Sequence, residues 1–94
     1  MDHLPAIELL ESTHSFPCEY TFKVIGTAES NFVGRALQAV RRMLPEEMEP
    51  PFSSRTTPNG RHVSVTIEPT LESAGDVLAI YRELAVLDGL VMLL

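Results

Sequence analysis

The stretch from Ser64 to Leu94 constrains the fold most. Ser64-Val65-Thr66-Ile67 alternates with a period of two, Val77, Ile80, Leu84 and Leu87 recur at helical spacing, and Leu90–Leu94 is an unbroken apolar run. Alternation marks a half-buried strand, whereas spacings of three and four mark one face of a helix. Ser73 with Asp76 three residues later has the pattern of a capped helix start, and Gly89 is placed to end that helix in left-handed geometry. A wholly apolar segment is stable only when covered, so Leu90–Leu94 is expected to be an interior strand of a sheet. Pro69 cannot donate to a ladder, so pairing of the preceding strand should end there or sit at an edge.

The upstream half shows the same alternation of elements. Tyr20, Phe22 and Val24 fall on one side of an extended segment Glu19–Ile25, and Glu19, Thr21 and Lys23 fall on the other; Gly26 ends it. Ser30 or Asn31 can cap a helix whose stripe is Phe32, Val33, Ala36, Leu37, Val40 and Leu44, and Pro45 stops it after Arg41-Arg42. Glu46–Pro51 has no period and reads as an exposed acidic connection. Pro58-Asn59-Gly60 supplies a hairpin turn that pairs Phe52–Thr56 with Arg61–Glu68, where Val63, Val65 and Ile67 share one face and Ser64, Thr66 and Glu68 the other.

The resulting order, β-α-β-β-α-β, predicts an α+β ferredoxin-like (ACT-like) sandwich: a four-stranded antiparallel sheet with two helices on one face. The domain should span residues 16–94, preceded by a flexible tail over 1–15 in which Pro5 can open a short helix presenting Ile7 and Leu10. The other sheet face would then show Thr21, Lys23, Ser64, Thr66 and Glu68, together with an apolar set from the last strand, either Leu90, Met92 and Leu94 or Val91 and Leu93. Exposed apolar patches mark contact sites, so Thr21, Lys23, Ser64, Thr66 and Met92 are the candidate interaction surface.

Composition narrows the function more than it reveals one. Ninety-four residues with 45% apolar and 21% charged side chains suit one domain that needs no staple. Cys18 is the single cysteine, so no internal disulfide can form, and no signal sequence or membrane span is legible; a cytoplasmic location is expected. A formal charge of −6 disfavours a polyanionic partner, and Arg41-Arg42 sit where a helix end welcomes cations, so neither nucleic acid nor membrane is an expected partner.

His3, His14 and His62 lack the spacing of a zinc site and are expected to be exposed without ligand duty. Cys18, beside the first strand, reads as a buried or edge thiol and not a nucleophile. Ser53-Ser54-Arg55-Thr56-Thr57 offers hydroxyls beside a cation that can hold an anion, although these are ordinary edge-strand residues. Tyr81 is expected at the helix border with its hydroxyl in water. No phosphate loop, carboxylate pair or Ser-His-Asp arrangement is present, so no enzyme, cofactor or metal site is expected.

Phe16-Pro17-Cys18 leading into Tyr20-Thr21-Phe22-Lys23-Val24-Ile25-Gly26, the Asn59-Gly60 turn before Ser64-Val65-Thr66, Ile80-Tyr81-Arg82-Glu83-Leu84 and the closing Val91-Met92-Leu93-Leu94 together resemble the YbeD-like family of small bacterial proteins. The resemblance runs from about Glu8 to Leu94. It implies an ACT-like fold and a role connected with the regulation of lipoate metabolism, and it brings no catalytic residues. His62, Glu68-Pro69 and Thr57-Pro58 depart from the family pattern around the hairpin.

The expected function is a non-enzymatic regulatory or protein-interaction module. The alternative is an ACT-type small-ligand sensor for a lipoyl, octanoyl or amino-acid effector at a dimer interface. An unknown protein partner, a small effector and a homodimer are the associations these readings allow. An acylphosphatase-like enzyme shares the topology, but Gly26–Ser30 contains no arginine and Asn59 lies in a turn.

Overall fold

Val24 and Val65 have no solvent exposure, and they lie directly opposite each other on the two strands at the centre of the sheet. The computed structural model describes residues 5–94; residues 1–4, including His3, lie outside the described residues. The elements are α1 (Ile7–Thr13), β1 (Cys18–Glu19), β2 (Phe22–Thr27), α2 (Phe32–Arg41), β3 (Phe52–Thr56), β4 (His62–Ile67), β5 (Thr70–Leu71), α3 (Ala74–Ala85) and β6 (Leu90–Leu93). Strands pair antiparallel in the order β3-β4-β2-β6, the ferredoxin-like arrangement that the two helical crossovers require.

Alternation along β2 and β4 sorts the side chains cleanly. Phe22, Val24, Val63, Val65 and Ile67 face the helices and are buried, joined there by Phe32, Ala36, Leu37, Ala39 and Val40 of α2 and by Ala74, Val77, Leu78, Ile80, Tyr81 and Leu84 of α3. Asn31 caps α2 by accepting the Gly34 amide at 3.3 Å, and Ser73 caps α3 by accepting the Asp76 amide at 3.2 Å. The hairpin closes through Gly60 at φ +73°, with its amide donating to the Thr57 carbonyl.

Five expectations about the elements and their packing need correction. Residues 7–13 form the short helix that Pro5 can open, but the stretch is not a tail outside the domain: α1 packs on α3, and Leu10, not Ile7, is buried in the core. The first strand is not continuous. Tyr20 donates its amide to the Pro69 carbonyl, so Cys18–Glu19 leaves the main sheet and pairs with Thr70–Leu71 as a separate two-stranded ladder. The last strand is an edge, not an interior strand, because β6 pairs with β2 alone. α3 ends at Ala85, so Gly89 (φ +85°) shapes the turn into β6 and does not terminate the helix.

The fifth concerns Tyr81, whose hydroxyl is paired with another side chain and not left to water alone. The side chain is buried and its oxygen lies 3.1 Å from the Tyr20 hydroxyl, amid edge contacts with Tyr20 and Phe22. Burial, and then the Tyr20 contact, push its pKa well above the usual tyrosine range.

Candidate functional site: the open sheet face

The register fixes which residues share the face opposite the helices. Directly paired residues project to the same side of a sheet. Leu94, Lys23, Thr66 and Ser53 therefore form one row across the four strands, and Met92, Ile25, Ser64 and Arg55 form the next. Leu94 joins the first row through reciprocal backbone hydrogen bonds with Lys23, 2.8 Å from its own amide and 3.4 Å from the Lys23 amide.

This places the five sequence-chosen residues together. Lys23, Ser64, Thr66 and Met92 lie in the two rows, and Thr21 continues the alternation just ahead of β2, its hydroxyl donating to Glu68 at 3.4 Å. The choice between the two outward sets of the last strand is settled in favour of Met92 and Leu94, which are 48% and 57% exposed, whereas Leu93 and Leu90 pack against the core. Val91 is also 53% exposed, because the β2–β6 register shifts between Ile25 and Gly26.

Sequence reasoning missed Ile25, Ser53 and Arg55 as members of this face. Ser53 and Arg55 followed from the expected hairpin once its register is counted back from Gly60, but every residue of β3 is exposed, so its alternation carries no burial signal.

The face is divided. Its β6 edge is apolar, with Met92 and Leu94 beside Ile25 of β2. Its β3–β4 side is a polar groove of about 360 Å³ lined by Lys23, Ser53, Ser54, Arg55, Ser64 and Thr66. Neither Lys23 nor Arg55 belongs to an ion pair among the described residues; the pairs present are Arg41–Glu49 at 2.8 Å and Arg42–Glu83 at 3.4 Å, both away from the sheet.

The other candidates are dispersed. His14 packs against Phe16 and Tyr20 and is half-buried, which corrects the expectation of an exposed ring; His62 opens β4, also half-buried; Cys18 is a half-buried free thiol in β1. Among the described residues no group of three or more His, Cys, Asp or Glu side chains is gathered as a metal site, and no helix is long and apolar enough to cross a membrane. The acidic connection is tied back to α2 through the Arg41–Glu49 pair.

Comparison with known proteins agrees with this architecture. Residues 11–94 match the family described as a protein of unknown function, DUF493. A UPF0250 protein of Shewanella sediminis is 37% identical over 82 residues, covering 87% of this chain and 86% of the relative. Another from Shewanella woodyi is 33% identical over 82 residues, with the same coverage of each chain. These are the YbeD-like proteins that the strand and helix segments resemble. The solution structure of protein HP0495 from H. pylori superposes with a TM-score of 0.65 at 18% identity, covering 100% of this chain and 98% of that one, and so shares the fold.

Proposed function

The chain belongs to the DUF493 family, whose function is unknown, and we propose that it is a non-enzymatic regulatory module that docks a protein partner on its open sheet face. One observation carries this reading. Met92, Leu94 and Val91 leave about half of their surface in water along one sheet edge, beside Ile25.

Charge argues for a partner other than a second copy. Stacking this face on itself would place the Lys23 and Arg55 side of one copy against the same cationic side or the apolar edge of the other, with no carboxylate in the groove lining to answer it, and would add two chains of −6 together. A partner with apolar side chains flanked by carboxylates complements both halves of the face.

The test is photo-crosslinking from position 92 in cells, identification of the captured protein, and reconstitution with that protein purified. Met92→Asp should weaken the reconstituted complex at least about tenfold, as expected for a residue central to an interface. Val86→Asp, at an exposed site beyond the end of α3, should leave it unchanged. Equal loss from both variants, or a homodimer as the only crosslinked product, contradicts the reading. A small-ligand sensor is the second reading, favoured by the polar groove beside the apolar edge. Lipoate, octanoate and amino acids are the effectors to screen by thermal shift, where a ligand at a hundred times its Kd adds about 2.7 kcal/mol.

A further inference from the structure

We propose that the polar half of the open face is a binding site for an oxyanion, a phosphate or carboxylate group, held between Lys23 and Arg55 over the hydroxyls of Ser53, Ser64 and Thr66. The proposal deepens the small-ligand reading, which uses this same groove, and does not need the apolar edge on which the docking reading mainly stands.

The register supplies the geometry. Lys23 sits on β2 in the Thr66–Ser53 row, and Arg55 sits on β3 in the Ser64 row, so the two cations flank β4 diagonally. Strands about 4.8 Å apart and a two-residue offset of about 7 Å put their backbones roughly 12 Å apart. Both side chains are long enough to lean over the β4 hydroxyls from opposite sides, and both line the same groove of about 360 Å³.

The chemistry is one-signed. The groove lining holds two cations and several hydroxyl donors and no carboxylate. The nearest acid on this face, Glu68, lies beyond Thr66 towards the end of β4 and accepts from Thr21. Glu68 stands one strand and two residues from Lys23, nearer than Arg55, and is engaged by Thr21; among the described residues neither Lys23 nor Arg55 has an ion-pair partner, so their donors over the groove are left to water. An oxyanion accepts charge-assisted hydrogen bonds from both, with Arg55 able to donate two in parallel. A cation meets no carboxylate in the groove lining, and a neutral ligand forgoes the charge assistance.

The test is an amide NMR titration of the full chain with sodium phosphate, and separately with sodium acetate, at ionic strength held constant by chloride. Saturable shifts centred on Lys23, Ser53, Arg55, Ser64 and Thr66 with either probe are expected, and which probe binds tells a phosphate site from a carboxylate site. Lys23→Gln/Arg55→Gln should lower the affinity at least about tenfold, the loss expected for charged hydrogen bonds. Arg61→Gln, an exposed cation outside the groove, should leave it unchanged.

Shifts spread evenly over Arg35, Arg41, Arg42, Arg61 and Arg82, no saturation with either anion, or unchanged affinity in the double variant would overturn the proposal. Met92→Asp serves to separate the two ideas. Loss of the protein partner with phosphate or acetate binding retained leaves this site standing, and anion binding lost in the groove variant alone leaves the docking reading standing.

Discussion

Replacing Gly26 with alanine tests the packing that sets the open face. Gly26 is buried at the β2 position where the pairing with β6 shifts register, so its geometry decides which residues of β6 turn outward. A Cβ built there would run into the Phe32 ring, 2.6 Å from Cδ1 and closer still to Cε1 and Cζ. Phe32 is 2% exposed, in the first turn of α2, so its ring cannot swing into solvent. Overpacking of a closed core costs about 1–3 kcal/mol, and the lower unfolded-state entropy of alanine returns about 0.4–1 of that.

A net loss of about 1–2 kcal/mol is therefore expected. With a urea slope of about 1 kcal/mol/M, the unfolding midpoint should fall by about 1–2 M. Trimming the ring makes the check specific. Gly26→Ala with Phe32→Leu should cost less than the sum of the two single changes by at least about 0.5 kcal/mol, because the smaller side chain removes the collision. An alanine variant as stable as the wild type, or strictly additive changes, would refute the reasoning.

Other perturbations probe the remaining contacts. Tyr81→Phe removes the hydroxyl pair with Tyr20 and should lower stability in urea by about 0.5–1.5 kcal/mol. The same residue gives a pH signature. Its hydroxyl ionises later in the folded chain than the ordinary value of 10.0, so the unfolded chain releases its proton first; the contribution is complete below that pH and declines above it. Urea midpoints followed from about pH 9 to about pH 11.5 should fall more steeply in the wild type than in Tyr81→Phe. Glu49→Gln breaks the Arg41 pair, but with side chains 38% and 71% exposed the change in stability should stay within about 0.5 kcal/mol.

Sequence reading succeeded wherever burial enforces a period. Val63, Val65 and Ile67 alternate because one face of β4 meets the helices, and the Phe32–Val40 stripe follows from α2 lying on that same face. It failed where partners are distant in sequence. The alternation Glu19–Ile25 runs unbroken through a change of ladder, since nothing local shows that Tyr20 bonds to Pro69 and Phe22 to a different strand. The Tyr81 hydroxyl finds its partner 61 positions away, so its position at a helix border looked like a wet one. β6 was expected inside the sheet because both of its faces are apolar. The structure assigns one of those faces to the core and leaves the other in water on an edge, which is why composition alone misplaced it. α1 is too short for a convincing period, and its single buried side chain, Leu10, is what anchors it.

The most direct measurement is methyl and amide NMR mapping of the chain bound to the partner identified by crosslinking. The account predicts that Ile25, Val91, Met92 and Leu94 shift and lose solvent exchange, while exposed positions on the helical layer such as Gln38 and Arg82 stay unchanged. Perturbation centred on α2 and α3, with Met92 and Leu94 still open to water, would contradict it.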